Sequence, residues 1–507
     1  MKKTAVMLMI LTILSTTIGF SRELILSFYY GASYITDAYL ISLIIPQTLI
    51  AFIGAVIGSI YIPMYRNIEH EISIKRADEF TSNIINVLFF LCSAIILLVL
   101  IFTPLFVKIF AVGFKGEIFN LTVNFTRVSI FAIYFSILAS LFSSYLQLKN
   151  NFVVGGILSI PLNLIIILSL VFSSEYNIYI LSFGSVLGAF FQLLFIIPFV
   201  KKSGFKYRFI INKKDVYIKK LVSLSMPVML GVSVYQLNTL IDKTIASQVI
   251  TGGISSLSYA SRVNALVFGL FAVPIATVMY PMISKMSAEK KLKKLKETVS
   301  KAFLSILLLV VPATIGSMVL AEPIIRLLFG RGAFDNSDIQ MTASALFFYS
   351  IGMLGVSLRE ILYRTFYSLQ DTRTPLVNAA IAMVLNIIFS IVLSKLMGIA
   401  GIALATSISS ILCAILLFVN LRRKIGVFSM KNLFSTFLKI LLASVIMGFL
   451  TLKIYAILIE NFSLYLTLFI TIIISGGVYI LLINFMKIKE FDEALFFIKE
   501  KINLKHS

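Results

Sequence analysis

Residues 177–220 read NIYILSFGSVLGAFFQLLFIIPFV and then KKSGFKYRFIINKKDVYIKK. The first part holds no charged side chain, and the second holds Lys201, Lys202, Lys206, Arg208, Lys213, Lys214, Lys219 and Lys220. At about 1.5 Å per residue, a helix over 177–200 crosses a hydrocarbon core of about 30 Å. The run therefore reads as a membrane-spanning helix, and the basic stretch as its aqueous exit.

The same pattern repeats in both directions along the chain. Apolar runs long enough to span lie at 4–28, 36–63, 82–110, 121–147, 152–173 and 177–200 in the first part. They continue at 220–247, 254–284, 299–328, 339–368, 375–396, 398–421, 431–456 and 463–486. The expected fold is an all-α polytopic membrane protein of about 14 transmembrane helices. Composition agrees: 59% of the 507 residues are hydrophobic and 13% charged, against about 25% charged in soluble domains.

Alternate loops set the orientation. The segment 285–301 carries Lys285, Lys290, Lys291, Lys293, Lys294, Lys296 and Lys301, and Arg422, Arg423, Lys424 and the Lys-rich C-terminus fall on the same side. Loops 29–35, 174–176 and 248–253 carry no Lys or Arg. By the positive-inside rule both termini are cytoplasmic. The net charge of +22 is thus read as topology and attraction to anionic membrane lipids, with no nucleic-acid partner. The opening Met1-Lys2-Lys3 imitates a secretory signal, but its apolar run is too long for one and is read as the first span.

Cys92 and Cys413 lie inside apolar runs, and His70 and His506 in polar segments without a second ligand at metal spacing, so neither a disulfide framework nor a metal site is expected. No loop exceeds about 20 residues, too few for a catalytic domain. Clustered carboxylates and a Gly-rich phosphate loop are also missing, which argues against an enzyme. Pro46, Pro161, Pro227, Pro274 and Pro312 interrupt spans; each is either a packing kink or a hinge beside a cavity.

The halves echo each other at an offset near 220. Tyr145-Leu-Gln-Leu-Lys149 parallels Tyr367-Ser-Leu-Gln-Asp371, Leu162-Asn163 parallels Leu385-Asn386, Pro104-Leu105-Phe106 parallels Pro323-Ile324-Ile325, and Tyr61-Ile-Pro-Met64 parallels Tyr280-Pro-Met282. A parallel repeat of six spans predicts two pseudo-symmetric lobes with a substrate site between them, as in transporters. The division is an N-lobe at 1–200, a cytoplasmic linker at 201–219 and a C-lobe at 220–424. Residues 425–507 then form a helix pair and a cytoplasmic tail.

Charges at bilayer depth cost several kcal/mol and need a reason. Arg22 and Glu23 lie in the first span, Asp37 opens the second, and Arg127 is in the fourth. Asp242 and Lys243 are in the seventh, Arg262 in the eighth, and Arg359, Glu360 and Arg364 in the tenth. Arg22 and Arg262 open equivalent repeats, and two guanidinium forks facing one cavity imply an anionic, phosphate-bearing substrate. Asp242, with Asn386 and Thr406, offers oxygens for a Na⁺ ion or a proton; the alternative is an Asp242 paired with Lys243 or another cation.

These residues carry a resemblance. Gly19-Phe-Ser-Arg22-Glu23, Phe28-Tyr-Tyr-Gly31, Thr36-Asp37-Ala38-Tyr39, Tyr259-Ala-Ser-Arg262, Phe329-Gly-Arg-Gly-Ala-Phe334, Phe366-Tyr-Ser-Leu-Gln-Asp371-Thr-Arg-Thr-Pro375 and Gly401-Ile-Ala-Leu-Ala-Thr406 together resemble the MurJ/MviN family. Its members are lipid II flippases of the multidrug/oligosaccharidyl-lipid/polysaccharide exporter superfamily. The resemblance covers nearly the whole chain. It implies a bacterial cytoplasmic-membrane transporter that moves lipid II, or a related lipid-linked oligosaccharide, outward by alternating access. Substrate binding would involve Arg22, Arg262, Glu23 and Asp37, with the pyrophosphate on the two arginines and the undecaprenyl tail in a groove of the last two helices. Cell-wall synthesis proteins are implied partners, and the membrane potential or a Na⁺ or H⁺ ion the drive.

The chain departs from the pattern at Thr16, Ile50 and Ala51, where the family usually has arginines, and at Ala55, Val56 and Ile57, where it usually has Glu-Gly-Ala. The alternative within transport is therefore a flippase for another undecaprenyl-pyrophosphate-linked oligosaccharide. A drug/cation antiporter of the superfamily would have about twelve helices and favour acidic cavity residues.

Overall fold

The computed structural model describes residues 2–212, 214–427, 430–488 and 491, and among them every regular element is helical. Most of the expected cytoplasmic tail, with His506, lies outside the described residues. Thirteen helices are long and apolar enough to span a bilayer, and a bent pair makes a fourteenth span. Contacts divide the chain into two compact units, Met1–Ser255 with Arg331–Asp335, and Ser256–Gly330 with Asn336–Ser507.

The first unit comprises α1 (Lys2–Tyr30), α2 (Tyr34–Val56), α3 (Ile62–Glu71), α4 (Ile74–Phe110) and α5 (Gly116–Ser129). It continues with α6 (Ala132–Leu148), α7 (Phe152–Ile157), α8 (Ser159–Glu175), α9 (Ile180–Lys202) and α10 (Val216–Val249). A π-helical turn, Ile57–Tyr61, joins α2 to α3. The single run expected over 121–147 is two helices, α5 and α6, bent by 42°. Proline explains part of this packing. Pro46 has no N–H for the carbonyl of Ser42 one turn earlier, and the Ser129 hydroxyl, at the end of α5, donates to that carbonyl at 2.8 Å. In α4, Pro104 orphans the carbonyl of Leu100, and the Thr103 hydroxyl reaches it at 3.1 Å.

Helix α10 packs on α2 and α4, so the expected linker at 201–219 lies inside the first unit and the boundary falls after Ser255. Both ends of α10 are tied to α4. At its C-terminal end the Thr244 hydroxyl donates to the Phe110 carbonyl (2.9 Å) and the Ser247 hydroxyl accepts from Gly113 N (3.1 Å). At its N-terminal end Asp215, which caps α10 by accepting from Tyr217 N, pairs with Arg76 of α4 at 2.6 Å.

The second unit holds most of α11 (Gly253–Ala288), then α12 (Leu292–Val319), α13 (Ala321–Phe329), α14 (Asn336–Ser368), α15 (Arg373–Met397), α16 (Ile399–Ile425), α17 (Met430–Ile459) and α18 (Leu464–Phe485). Helices α14 and α16 approach closely at Gly352, where a Cβ would meet Ser407, and at Gly355, where it would meet the backbone of Ile411. Small residues at such crossings let helix backbones pack without a hydrophobic drive. The final pair joins this unit through α12. Pro312 leaves the carbonyl of Leu308 without its donor, and the Tyr479 hydroxyl of α18 fills the place at 2.7 Å. Around it Leu304, Leu307 and Val311 of α12 pack with Ile440, Ala443 and Met447 of α17.

The echoing segments at 145–149 and 367–371 end in the same turn geometry, which also closes α11 at Lys290 (φ 54°). After α6, Asn150 takes a left-handed φ of 61°, with Asn151 N bonded to Leu146 O. After α14, Gln370 takes φ 57°, with Asp371 N bonded to Phe366 O.

Candidate functional site

Arg22 and Glu23 stand toward the C-terminal end of α1, which packs on α7 and α8. Their side chains form an ion pair at 2.6 Å; the Arg22 side chain is 21% exposed and that of Glu23 5%. A carboxylate this buried needs a cation or hydrogen-bond donors beside it, and Glu23 has the Arg22 guanidinium. Glu23 therefore orients the guanidinium, and the more exposed side chain of the pair is Arg22.

Asp37 is fully buried, and its carboxylate accepts from Gly252 N (2.7 Å), Ser255 N (2.8 Å) and the Ser255 hydroxyl (2.8 Å). It caps the start of α11 and neutralises that helix terminus. Gly252 has φ +80°, and a Cβ there would lie 2.0 Å from the Ala32 carbonyl, so only glycine closes this turn. A second turn docks beside it: Ala333 N donates to Phe28 O at 2.8 Å, and Gly332 (φ +63°) also lacks room for a Cβ. The Thr36-Asp37 motif and the Arg331–Asp335 turn thus build one junction around the end of α1.

In the second unit, Tyr259 and Ala260 are buried and the Tyr259 ring packs on Phe329 at 4.9 Å, whereas Arg262 is exposed. The motif anchors one turn of α11 and leaves its arginine at a surface. Farther along, Arg364 of α14 donates to Glu360 (2.8 Å) and to Thr277 of α11 (3.3 Å), and lies over the Tyr280 ring. Arg359 lies over the Tyr363 ring. Arg127, at the end of α5 in the first unit, is exposed.

Of the ion-site candidates, Asn386 and Thr406 are brought together in the second unit, with Asn386 Nδ2 donating to Thr406 Oγ1 at 3.2 Å. Asp242 is buried on α10, in the first unit. Among the described residues no three His, Cys, Asp or Glu side chains gather as metal ligands.

The Asp371-Thr-Arg-Thr-Pro375 motif is a helix start. Asp371 accepts from Thr374 N and Thr374 Oγ1 at 2.9 and 2.8 Å, and from Lys424 Nζ at 2.5 Å. Partial burial pushes its carboxyl pKa up, but the Lys424 ammonium and the Thr374 donors outweigh that and hold it at about 2. Sequence reasoning did not find these tertiary partners, because nothing in the pattern marks Lys424 or Ser255 as a partner.

The model of the family described as Lipid II flippase MurJ matches residues 26–475. The chain belongs to the MurJ family. A probable lipid II flippase MurJ of Thermotoga maritima is 30% identical over 485 residues, covering 96% of each chain. One from Buchnera aphidicola is 30% identical over 451 residues, covering 88% of each. A solved structure of a lipid II flippase MurJ in an inward closed conformation superposes with a TM-score of 0.81 at 28% identity, covering 95% of this chain and 98% of that one. A MATE-family transporter of the MOP superfamily, inward-facing, gives 0.66 at 15% identity, covering 83% and 98%, a likeness of fold alone. MurJ membership thus rests on nearly the full length, and the motifs described above fall within the match or just before it.

Proposed function

We propose that this chain flips lipid II across the bacterial cytoplasmic membrane, from the inner to the outer leaflet, by alternating access, with both termini in the cytoplasm. The observation that carries the reading is the full-length match to the MurJ family, whose named relatives are lipid II flippases. Arg22 and Arg262 hold the pyrophosphate. Each is an exposed or part-exposed guanidinium on a helix whose neighbouring residues are fixed by burial, and guanidinium forks match phosphate oxygens. Glu23 positions Arg22, and Asp37 holds the turn that opens α11. The helix pair α17–α18 carries the tail. The drive is the membrane potential, worth about 2.3 kcal/mol per charge per 100 mV, or a Na⁺ ion or proton, for which oxygens are offered by the Asn386–Thr406 pair of the second unit and, separately, by Asp242 of the first.

A second reading is favoured by Thr16, Ile50 and Ala51. Thr16 donates its hydroxyl to Thr12 O, and none of the three brings a cation. A less basic N-terminal lobe suits a different undecaprenyl-pyrophosphate-linked glycan. The test is depletion of an essential lipid II flippase in a bacterium, rescue by this chain, and scoring of outward-exposed lipid II in intact cells. Rescue that disappears in Arg22→Ala and Arg262→Ala at unchanged membrane levels supports lipid II. Correct insertion without rescue moves the assignment to the other glycan.

A further inference from the structure

The segment between α9 and α10 is a non-helical strap laid along the first turns of α4. Asn83 of α4 donates to the Asn212 carbonyl and accepts from Asn212 N, both at 3.0 Å. Asn86 donates to Ile210 O (2.9 Å) and accepts from the Tyr207 hydroxyl (2.6 Å). The Ser82 hydroxyl accepts from Arg208 N, and Arg208 pairs with Glu79 at 2.9 Å. Side chains of one helix thus satisfy the backbone of another segment, as a neighbouring strand would.

The strap's height against the membrane follows from α4. Asn86 is followed directly by the apolar run 87–92, which opens with Val87, Leu88, Phe89 and Phe90. Phe89 and Phe90 are about half exposed, as lipid-facing side chains are. They lie only about 5–6 Å farther along the helix at 1.5 Å per residue. The stretch 207–210, held at Asn86, therefore sits at the boundary between hydrocarbon and headgroups. There Tyr207, Phe209 and Ile211 occupy alternate positions of the non-helical segment and are 52%, 73% and 41% exposed, Tyr207 with its hydroxyl tied to Asn86. Lys201, Lys202, Lys206, Lys214, Lys219 and Lys220 surround them, all exposed. The one carboxylate of the segment, Asp215, is buried and paired with Arg76.

We infer that this strap is an interfacial anchor: Tyr207, Phe209 and Ile211 enter the headgroup layer of the cytoplasmic leaflet, and the lysines beside them bind anionic phospholipid. Aromatic residues favour this depth, and each Lys near an anionic surface adds attraction. The pairing of Asp215 neutralises the segment's own negative charge, which would oppose binding. Because the strap leads into α10, the anchor also fixes where that helix enters the membrane. Such an anchor is independent of the transported headgroup.

The chain contains no tryptophan, so a single one reports its own surroundings. Phe209→Trp in the full chain is reconstituted into phosphatidylcholine vesicles with and without phosphatidylglycerol. Phe90→Trp serves as a bilayer reference and Ile72→Trp, exposed at the turn before α4, as an aqueous one. The expected emission of Phe209→Trp lies between the two references, is quenched by brominated acyl chains, and shifts farther to the blue when phosphatidylglycerol is present. In K206Q/K214Q carrying the same tryptophan, the phosphatidylglycerol dependence disappears. Emission matching Ile72→Trp in both vesicles, with iodide quenching and no bromolipid quenching, would overturn the proposal and point to an acidic protein partner instead. Quenching indifferent to phosphatidylglycerol overturns the anionic-lipid part.

Discussion

Arg22 and Asp37 are both ionisable side chains in the first two spans, yet their surroundings separate them. Arg22 shares one ion pair and keeps a fifth of its side chain exposed, whereas Asp37 spends its carboxylate on three donors from the 252–255 turn. Asp37→Asn turns one acceptor oxygen into a donor facing N–H groups, which costs about 1–3 kcal/mol. A lower melting temperature in detergent and reduced membrane levels are the expected result; unchanged stability would sink the structural role. Arg22→Lys keeps the charge but loses the fork, and is expected to insert normally while rescuing flipping poorly. Full rescue by lysine would mean that charge alone suffices. Which of these two residues is spent on a turn was not legible in the sequence, because a charge at bilayer depth looks the same whether its partner is a phosphate or a buried backbone.

At the scale of elements, the spans were legible, since hydropathy records the solvent of each segment directly. The division of 121–147 into α5 and α6 was not, because no proline or glycine marks residues 129–131; the local bond from Ser129 goes to another helix. The strap at 205–215 was equally hidden, as its backbone bonds go to Asn83 and Asn86 and leave no periodic signature. Proline was half legible: the breaks at Pro46 and Pro312 could be seen, but not the hydroxyls that fill them. Tyr479→Phe is expected to cost about 0.6–1.7 kcal/mol and to loosen α17–α18 from α12, read as a lower melting temperature. Pro312→Ala returns a backbone donor to Leu308, so the same Tyr479 change should then cost less; an equal cost in both backgrounds would refute the assignment. The Asp371 turn gives a pH-dependent counterpart. Its folded pKa, about 2, lies below the unfolded value, so its stabilisation is complete above about pH 4–5 and is lost as pH falls toward 2. Lys424 is 41% exposed, so screening limits the effect to about 1 kcal/mol. Asp371→Asn should remove that part of the acid sensitivity in thermal unfolding, and an unchanged acid profile would count against it.

For the whole molecule, the rest of the chain and the final helix pair answer to different requirements. The main contacts of α17 and α18 run to α12, α13 and each other, and the α12 face they cover, Leu304, Leu307, Leu308 and Val311, is apolar. Lipid can cover that face at little cost, because acyl chains are as apolar as the side chains they replace. The Leu308 carbonyl loses Tyr479 and is left unsatisfied. A chain ending at Gly426 is therefore expected to insert and to retain its helices, with a modestly lower melting temperature. If the pair carries the lipid tail, the same truncated chain should fail to expose lipid II in the depletion strain despite normal membrane levels. Rescue equal to the intact chain would remove α17–α18 from the transport path and leave them a packing role. Insertion failure would instead show that Tyr479 and the apolar seam are needed for α12 to settle. Circular dichroism of the purified truncation separates that outcome from a functional defect, since a folded, helical and inactive chain is the combination the tail-binding role requires.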